Sequence, residues 1–154
     1  MTFIPGTRDR VPGTRDRAAA DLVRTRLAAA GAAAATVGLG LGLRALATGS
    51  VAKYGGDALY TVLLLTLVVL AAPRVTPLRA AGSALVASCL VEFLQLTSVP
   101  AELSRHSTVA RLVLGSTFNP PDLFWYAVGA ATGWLVHTAV ARSSPRTSLR
   151  SEGG

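Results

Sequence analysis

Eight polar side chains stand out against an otherwise apolar chain: Arg44, Lys53, Asp57, Glu92, Gln95, Arg105, Arg111 and Asp122. Three are carboxylates and four are cations. Such a set can do three kinds of chemistry. Arginine forms paired contacts with carboxylate or phosphate. A carboxylate held among apolar groups can carry a proton. Two carboxylates beside one pocket can share acid–base work. Glu92 is the sharpest of them, because Val91, Phe93 and Leu94 surround it. Gln95 follows three residues later, which puts both on one helix face. Ser88 and Val99 extend that face. The competing reading of Glu92 is an ion pair with Arg44, Arg105 or Arg111 that only fixes packing.

The elements that must position these groups are long apolar blocks. The chain has 154 residues, of which 51% are hydrophobic and 15% charged. Soluble domains carry about a quarter charged residues. Mean hydropathy is +0.46. Spanning a bilayer as a helix takes about 20 apolar residues, and four blocks meet or approach that length: 27–48, 56–72, 78–99 and 121–141. Pro73 and Pro77 bracket the turn between the second and third. The predicted fold class is all-α: a polytopic membrane protein of about four transmembrane helices. Residues 100–120 carry a further apolar run, Val109 to Leu114, too short to span. It reads as a re-entrant or interfacial segment between the third and fourth helices, which requires protein to cover its backbone.

Residues 1–26 read as a basic cytoplasmic tail, 27–141 as the four-helix domain and 142–154 as a second tail. The first tail holds a repeat, Pro5-Gly-Thr-Arg-Asp-Arg10 and Pro12-Gly-Thr-Arg-Asp-Arg17, poor core material. Residues 18–26 are expected to be helical and to run into the first span. No signal peptide is expected, since the charged lead is long and no cleavage site is evident. With the N-terminus inside, eleven Arg lie in cytoplasmic segments and four basic residues, Arg44, Lys53, Arg105 and Arg111, lie outside. That asymmetry favours both termini in the cytoplasm, and an even number of spans agrees.

The formal charge of +7 does not argue for nucleic acid. The basic residues flank apolar blocks instead of forming a stripe with interleaved aromatics. Cys89, the single cysteine, excludes an intrachain disulfide and reads as a small packing residue. His106 is a weak metal signal on its own. No catalytic triad order, phosphate-binding loop or dinucleotide fingerprint is present, so no cofactor is expected and an enzyme is less favoured than a binding protein.

Several of the eight groups also have structural readings. Asn119, Pro120, Pro121 and Asp122 resemble a helix start, with Asn as N-cap and the acid favouring the helix dipole. Asp57 sits similarly at the start of the second block. Lys53 and Tyr54 read as interface anchors, and Trp125, Tyr126 and Trp134 as aromatic belts. Gly38 with Gly42 and Gly129 with Gly133 fit the spacing of close helix contacts.

Taken in order, Lys53-Tyr54-Gly-Gly-Asp57, Glu92-Phe93-Leu94-Gln95-Leu96, Arg105, Arg111, Leu114-Gly115-Ser-Thr-Phe118 and Asp122-Leu123 make a pattern. It resembles the domain-of-unknown-function family 2809, similar in turn to the VanZ-like group, over about Val37 to Val140. The resemblance implies a bacterial inner-membrane protein without an established activity. The VanZ-like group is associated with glycopeptide-antibiotic resistance. Lys53, Asp57, Glu92, Gln95, Arg105, Arg111 and Asp122 match the family pattern by position. The basic repeat and the Pro120-Pro121 pair depart from it.

The leading expectation is therefore a non-enzymatic protein of the bacterial cytoplasmic membrane. Its partners would be the lipid bilayer and an anionic lipid or cell-wall precursor, bound at the outer face through Arg105, Arg111 and Glu92. The alternatives are a small homo-oligomeric transporter with Glu92 as coupling carboxylate, an intramembrane enzyme using Glu92 and Asp122, and a structural subunit.

Overall fold

The computed structural model describes residues 14–114 and 117–143. The first copy of the basic repeat, the Gly115-Ser116 pair and most of the C-terminal tail lie outside the described residues. Every regular element among the described residues is helical: α1 (Thr14–Leu46), α2 (Gly49–Ala71), α3 (Pro77–Leu94), α4 (Val99–His106), α5 (Thr108–Leu114) and α6 (Pro120–Ser143). Four of them, α1, α2, α3 and α6, are long and apolar enough to cross a membrane. The protein is a multi-pass membrane protein.

The helix ends follow local chemistry. α1 has 33 residues, about 50 Å of helix at 1.5 Å per residue. That exceeds the bilayer core, so its first turns, with Arg15, Arg17, Arg24 and Arg26, extend past the apolar block. Gly49 has φ 62°, a left-handed conformation that only glycine adopts without strain, and there the chain reverses into α2. The second block therefore starts earlier than its hydropathy indicates. Residues 49–55 are polar enough to read as a loop, yet they are helical and pack on α1: a Cβ on Gly55 would stand 2.5 Å from Leu43. Asp57 consequently lies in the third turn of α2, not at its start, and the capping reading does not apply to it.

Pro77 occupies the first turn of α3, where its missing N–H costs nothing. That helix stops at Leu94, before Val99. The Thr97 hydroxyl donates to the Leu94 carbonyl at 2.7 Å, a local bond that competes with helix continuation. Residues 99–114 form the two short helices α4 and α5, which pack on each other. Neither is long enough to span.

α2 is the central span. It packs on α1, α3 and α6, and α3 also packs on α6. Small side chains permit this. Ala80, Ala81 and Ala84 of α3 form a core with Leu65 and Val69 of α2. The Thr61 and Ser88 hydroxyls, both fully buried, meet at 2.9 Å between α2 and α3. Gly129 carries the closest approach: a Cβ there would lie 2.2 Å from the Ala58 carbonyl oxygen. A Cβ on Gly133 would meet Leu65 at 2.6 Å. The spaced glycines of α6 are thus used within the chain. Gly38 and Gly42 of α1 have nothing within 4 Å. Large exposed apolar residues such as Leu39, Leu90, Phe124 and Leu135 cover the outside, as a lipid-facing surface requires.

Candidate functional site

α1 ends, α2 begins, α3 ends and α6 begins at the same end of the bundle. The polar groups that cap these blocks in sequence therefore converge in space. Around them lies a cavity of about 780 Å³. Arg44 reaches it from α1, and Lys53 and Asp57 from α2. Glu92 and Gln95 reach it from the end of α3, Arg111 from α5 and Asp122 from the first turn of α6. Arg105 is the one predicted residue that does not line it. It lies exposed on α4, where its guanidinium pairs with Glu102 at 3.2 Å, one helical turn away.

Lys53 is the hub of the charged end. Its ammonium donates to the Asp122 carboxylate and stands 3.6 Å from Asp57 Oδ2, one turn along α2. It also lies 5.4 Å from the centroid of the Tyr54 ring, within range of a cation–π attraction. Tyr54 in turn stacks on Trp125 of α6, with centroids 5.4 Å apart. Together these contacts bind α2 to α6 at the cavity end. Charge attraction is stronger away from bulk water, and one cation between two carboxylates lowers the cost of burying them.

Asn119 supplies the other contacts of Asp122. Its side-chain amide donates to the Asp122 carboxylate, and its carbonyl accepts the Asp122 backbone N–H at 2.9 Å. The expected N-cap bond from a backbone N–H to the Asn side chain is not formed. The first two residues of α6 are Pro120 and Pro121, which have no N–H to offer, so the amide serves the carboxylate instead.

Glu92 is fully buried. One oxygen accepts the Asn119 backbone N–H at 2.5 Å, and the other accepts the Tyr126 hydroxyl at 2.9 Å. Among the described residues no cation pairs with it, so the ion pair with Arg44, Arg105 or Arg111 is not formed. Hydrogen bonds satisfy the buried carboxylate in its place. Tyr126 is itself buried and belongs to the site, not to an aromatic belt. The signal for it was its position four residues after Asp122, on the same helix face. Asn119 carried no such signal, because its role depends on the α3–α6 approach.

The mouth is completed by α5. The Gln95 side-chain amide donates to the Leu114 carbonyl at 2.6 Å, and Phe93 stacks on Phe118 at 6.3 Å. The Gln95 carbonyl oxygen is buried without a partner among the described residues. Arg44 and Arg111 line the cavity and meet no carboxylate among the described residues. The cavity thus holds three carboxylates, of which Asp57 keeps one buried oxygen without a hydrogen bond, and two guanidinium groups with no acidic partner among the described residues.

No curated protein and no solved structure matches the chain. A family model does, over residues 46–130, which is more than half of the sequence. The match runs from the end of α1 into α6 and takes in every cavity-lining residue named above except Arg44. On that match the chain belongs to the family of proteins of unknown function DUF2809.

Proposed function

We propose that this protein is a membrane-embedded binding protein that receives an anionic envelope ligand, a lipid or cell-wall-related headgroup, in the cavity beneath α5. The observation that carries the reading is the pair Arg44 and Arg111. They line the cavity without an acidic partner among the described residues. Asp57 and Asp122 are held by Lys53, and Glu92 by Asn119 and Tyr126. An anion arriving there meets two guanidinium groups that no acid engages among the described residues. Guanidinium groups match phosphate and carboxylate geometry with two parallel hydrogen bonds. Arg105, committed to Glu102 on an exposed helix, drops out of the ligand set.

The arginine excess near the opposite end of the bundle supports a cytoplasmic location for both termini. In that orientation the cavity faces the outer side of a bacterial cytoplasmic membrane. Both oxygens of Glu92 are occupied, which supports a positioning role for it over a coupling or acid–base role.

The reading is tested by lipid retention. Full-length protein is extracted from phosphatidylcholine nanodiscs doped with phosphatidylglycerol, and the retained lipid is counted by native mass spectrometry. The wild type should retain phosphatidylglycerol in preference. The double variant Arg44→Gln/Arg111→Gln should lose that preference while remaining folded. Equal retention by both proteins overturns the reading.

A further inference from the structure

The cavity is longer than its charged mouth. On α2 it is lined by Gly49, Lys53, Gly56, Leu59, Tyr60 and Leu63, a single face stepping three or four residues at a time. From Lys53 to Leu63 that face covers about 15 Å of helix axis. On α1 the lining runs from Arg44 back through Leu41 and Gly40 to Val37 and Thr36, about 12 Å at the same rise. The two helices are antiparallel, so both lines lead from the charged end towards the middle of the membrane-spanning region. Polarity falls along the way. The mouth holds Arg44, Lys53 and Asp57, while the inner end is mostly Val37, Leu41, Leu59 and Leu63.

Two features keep this space open. Gly40 and Gly56 both line it, and a Cβ on either would meet nothing within 4 Å. In addition, α1 packs substantially on α2 alone among the described spans, so no α1–α3 seam closes the flank of the slot. A ligand that never left the bilayer has a sideways route in.

Resting on the binding reading above, we infer that the ligand is an anionic amphiphile that places one hydrocarbon chain in the slot. Its phosphate or other anionic head sits at Arg44 and Arg111, and its hydrocarbon chain lies in the slot between α1 and α2 towards Leu63 and Val37. The slot gains little from apolar transfer, because the bilayer already shelters a chain. Its contribution is alignment and selection. The chain enters from the membrane with its head at the interface, which brings the anion to the guanidinium groups without crossing water. A second chain, where the ligand carries one, stays in the bilayer beside the slot.

The probe is dodecyl phosphate carrying a diazirine at the terminal carbon, incorporated with the full-length protein into phosphatidylcholine nanodiscs. After irradiation, peptide mapping should place the label on Leu59 or Leu63, lining residues that are only half-buried, and not on exposed ones such as Val37 and Leu41 alone. Label confined to lipid-facing residues such as Leu39, Leu90 or Leu135 overturns the slot. Gly40→Leu fills the slot and should reduce labelling at Leu59 and Leu63 at least about tenfold, a shift of about 1.4 kcal/mol in occupancy, with labelling of Leu39 unchanged. Unchanged labelling of Leu59 and Leu63 in that variant also overturns it. Inorganic phosphate separates the two claims. Phosphate that protects Arg111 from modification by phenylglyoxal as well as dodecyl phosphate does, in a protein whose slot stays unlabelled, leaves the headgroup reading standing and removes the chain. Protection by neither compound, with no slot labelling, removes both. Mapping uses the wild-type protein and does not depend on the folding of any variant.

Discussion

Lys53 of α2 and Asp122 in the first turn of α6 stand 69 residues apart in the chain and form one ion pair at the cavity mouth. Asp122 is buried, and Lys53 is about half exposed, so the pair is wet on one side only. Lys53→Met should leave the Asp122 carboxylate dependent on Asn119 alone. The expected loss is about 2 kcal/mol of stability, the range for a hydrogen bond to a charged group. Unfolding by denaturing detergent measures it. The pair Lys53→Met/Asp122→Leu should recover only part of the loss, since Asp57 still lacks its cation.

Glu92 and Tyr126 give a graded series. Tyr126→Phe removes one donor to a carboxylate that keeps the Asn119 N–H, and should cost about 1–2 kcal/mol. Glu92→Gln keeps the shape and an acceptor for one donor, and should cost no more than Tyr126→Phe. Glu92→Ala leaves a buried hydroxyl and a buried N–H without an acceptor, and should cost about 3 kcal/mol or more. Thermal unfolding in detergent ranks the three. An alanine variant as stable as wild type would remove Glu92 from the framework of the site.

The glycines of α6 and α1 should behave oppositely. Gly129→Ala drives a methyl group into the Ala58 backbone, which cannot rotate away, so α2 and α6 must separate at a cost of about 1–3 kcal/mol. Gly133→Ala meets the end of the Leu65 side chain, which can turn aside, and should cost less. Gly38→Ala meets nothing and should be neutral or add up to about 1 kcal/mol through helix propensity. Melting temperatures should rise from Gly129→Ala through Gly133→Ala to Gly38→Ala.

Gln95 holds α5 against the bundle through the Leu114 carbonyl. Replacing it by Leu removes that bond while keeping much of the bulk. Amide exchange in residues 108–114 should then rise about tenfold, the equivalent of about 1.4 kcal/mol of local opening, while α2 and α3 stay protected. Uniform exchange across the molecule would instead assign Gln95 to global stability.

Arg105→Gln serves as the control for ligand binding. It should leave retention of phosphatidylglycerol unchanged, whereas Arg44→Gln and Arg111→Gln should each lower it about tenfold, a typical loss for one charge-assisted contact. A larger effect from Arg105 than from Arg111 would move the site from the cavity to the surface of α4.

Much of the architecture was legible in the sequence. Whether a segment spans is decided by its own length and transfer free energy, and both are properties of consecutive residues. Hence α6 and the start of α3 lie where their hydropathy puts them, and the polar groups at the ends of four blocks gather at one end of the bundle. The helix boundaries were less legible. Residues 49–55 are helical because α1 packs against them, and α3 stops early because Thr97 bonds back to Leu94. Neither contact leaves a trace in hydropathy.

The family match follows from sequence as well, since it is a match of residues 46–130. Partner choice for Glu92 was decided only by tertiary structure. Whether Glu92 meets an arginine or the Tyr126 hydroxyl depends on how α3 and α6 are rotated about their axes. That rotation is set by Gly129 lying on Ala58 and by Ala84 lying in the core with Leu65. Arg105 and Arg111 differ already in sequence, since Glu102 lies three residues before Arg105 and no acid lies at helical spacing from Arg111. Arg105 pairs with Glu102 within α4, whereas only the tertiary structure brings Arg111 of α5 to the cavity. Composition and spacing name the charged groups available, and side-chain direction across helix interfaces determines which of them remain free to bind.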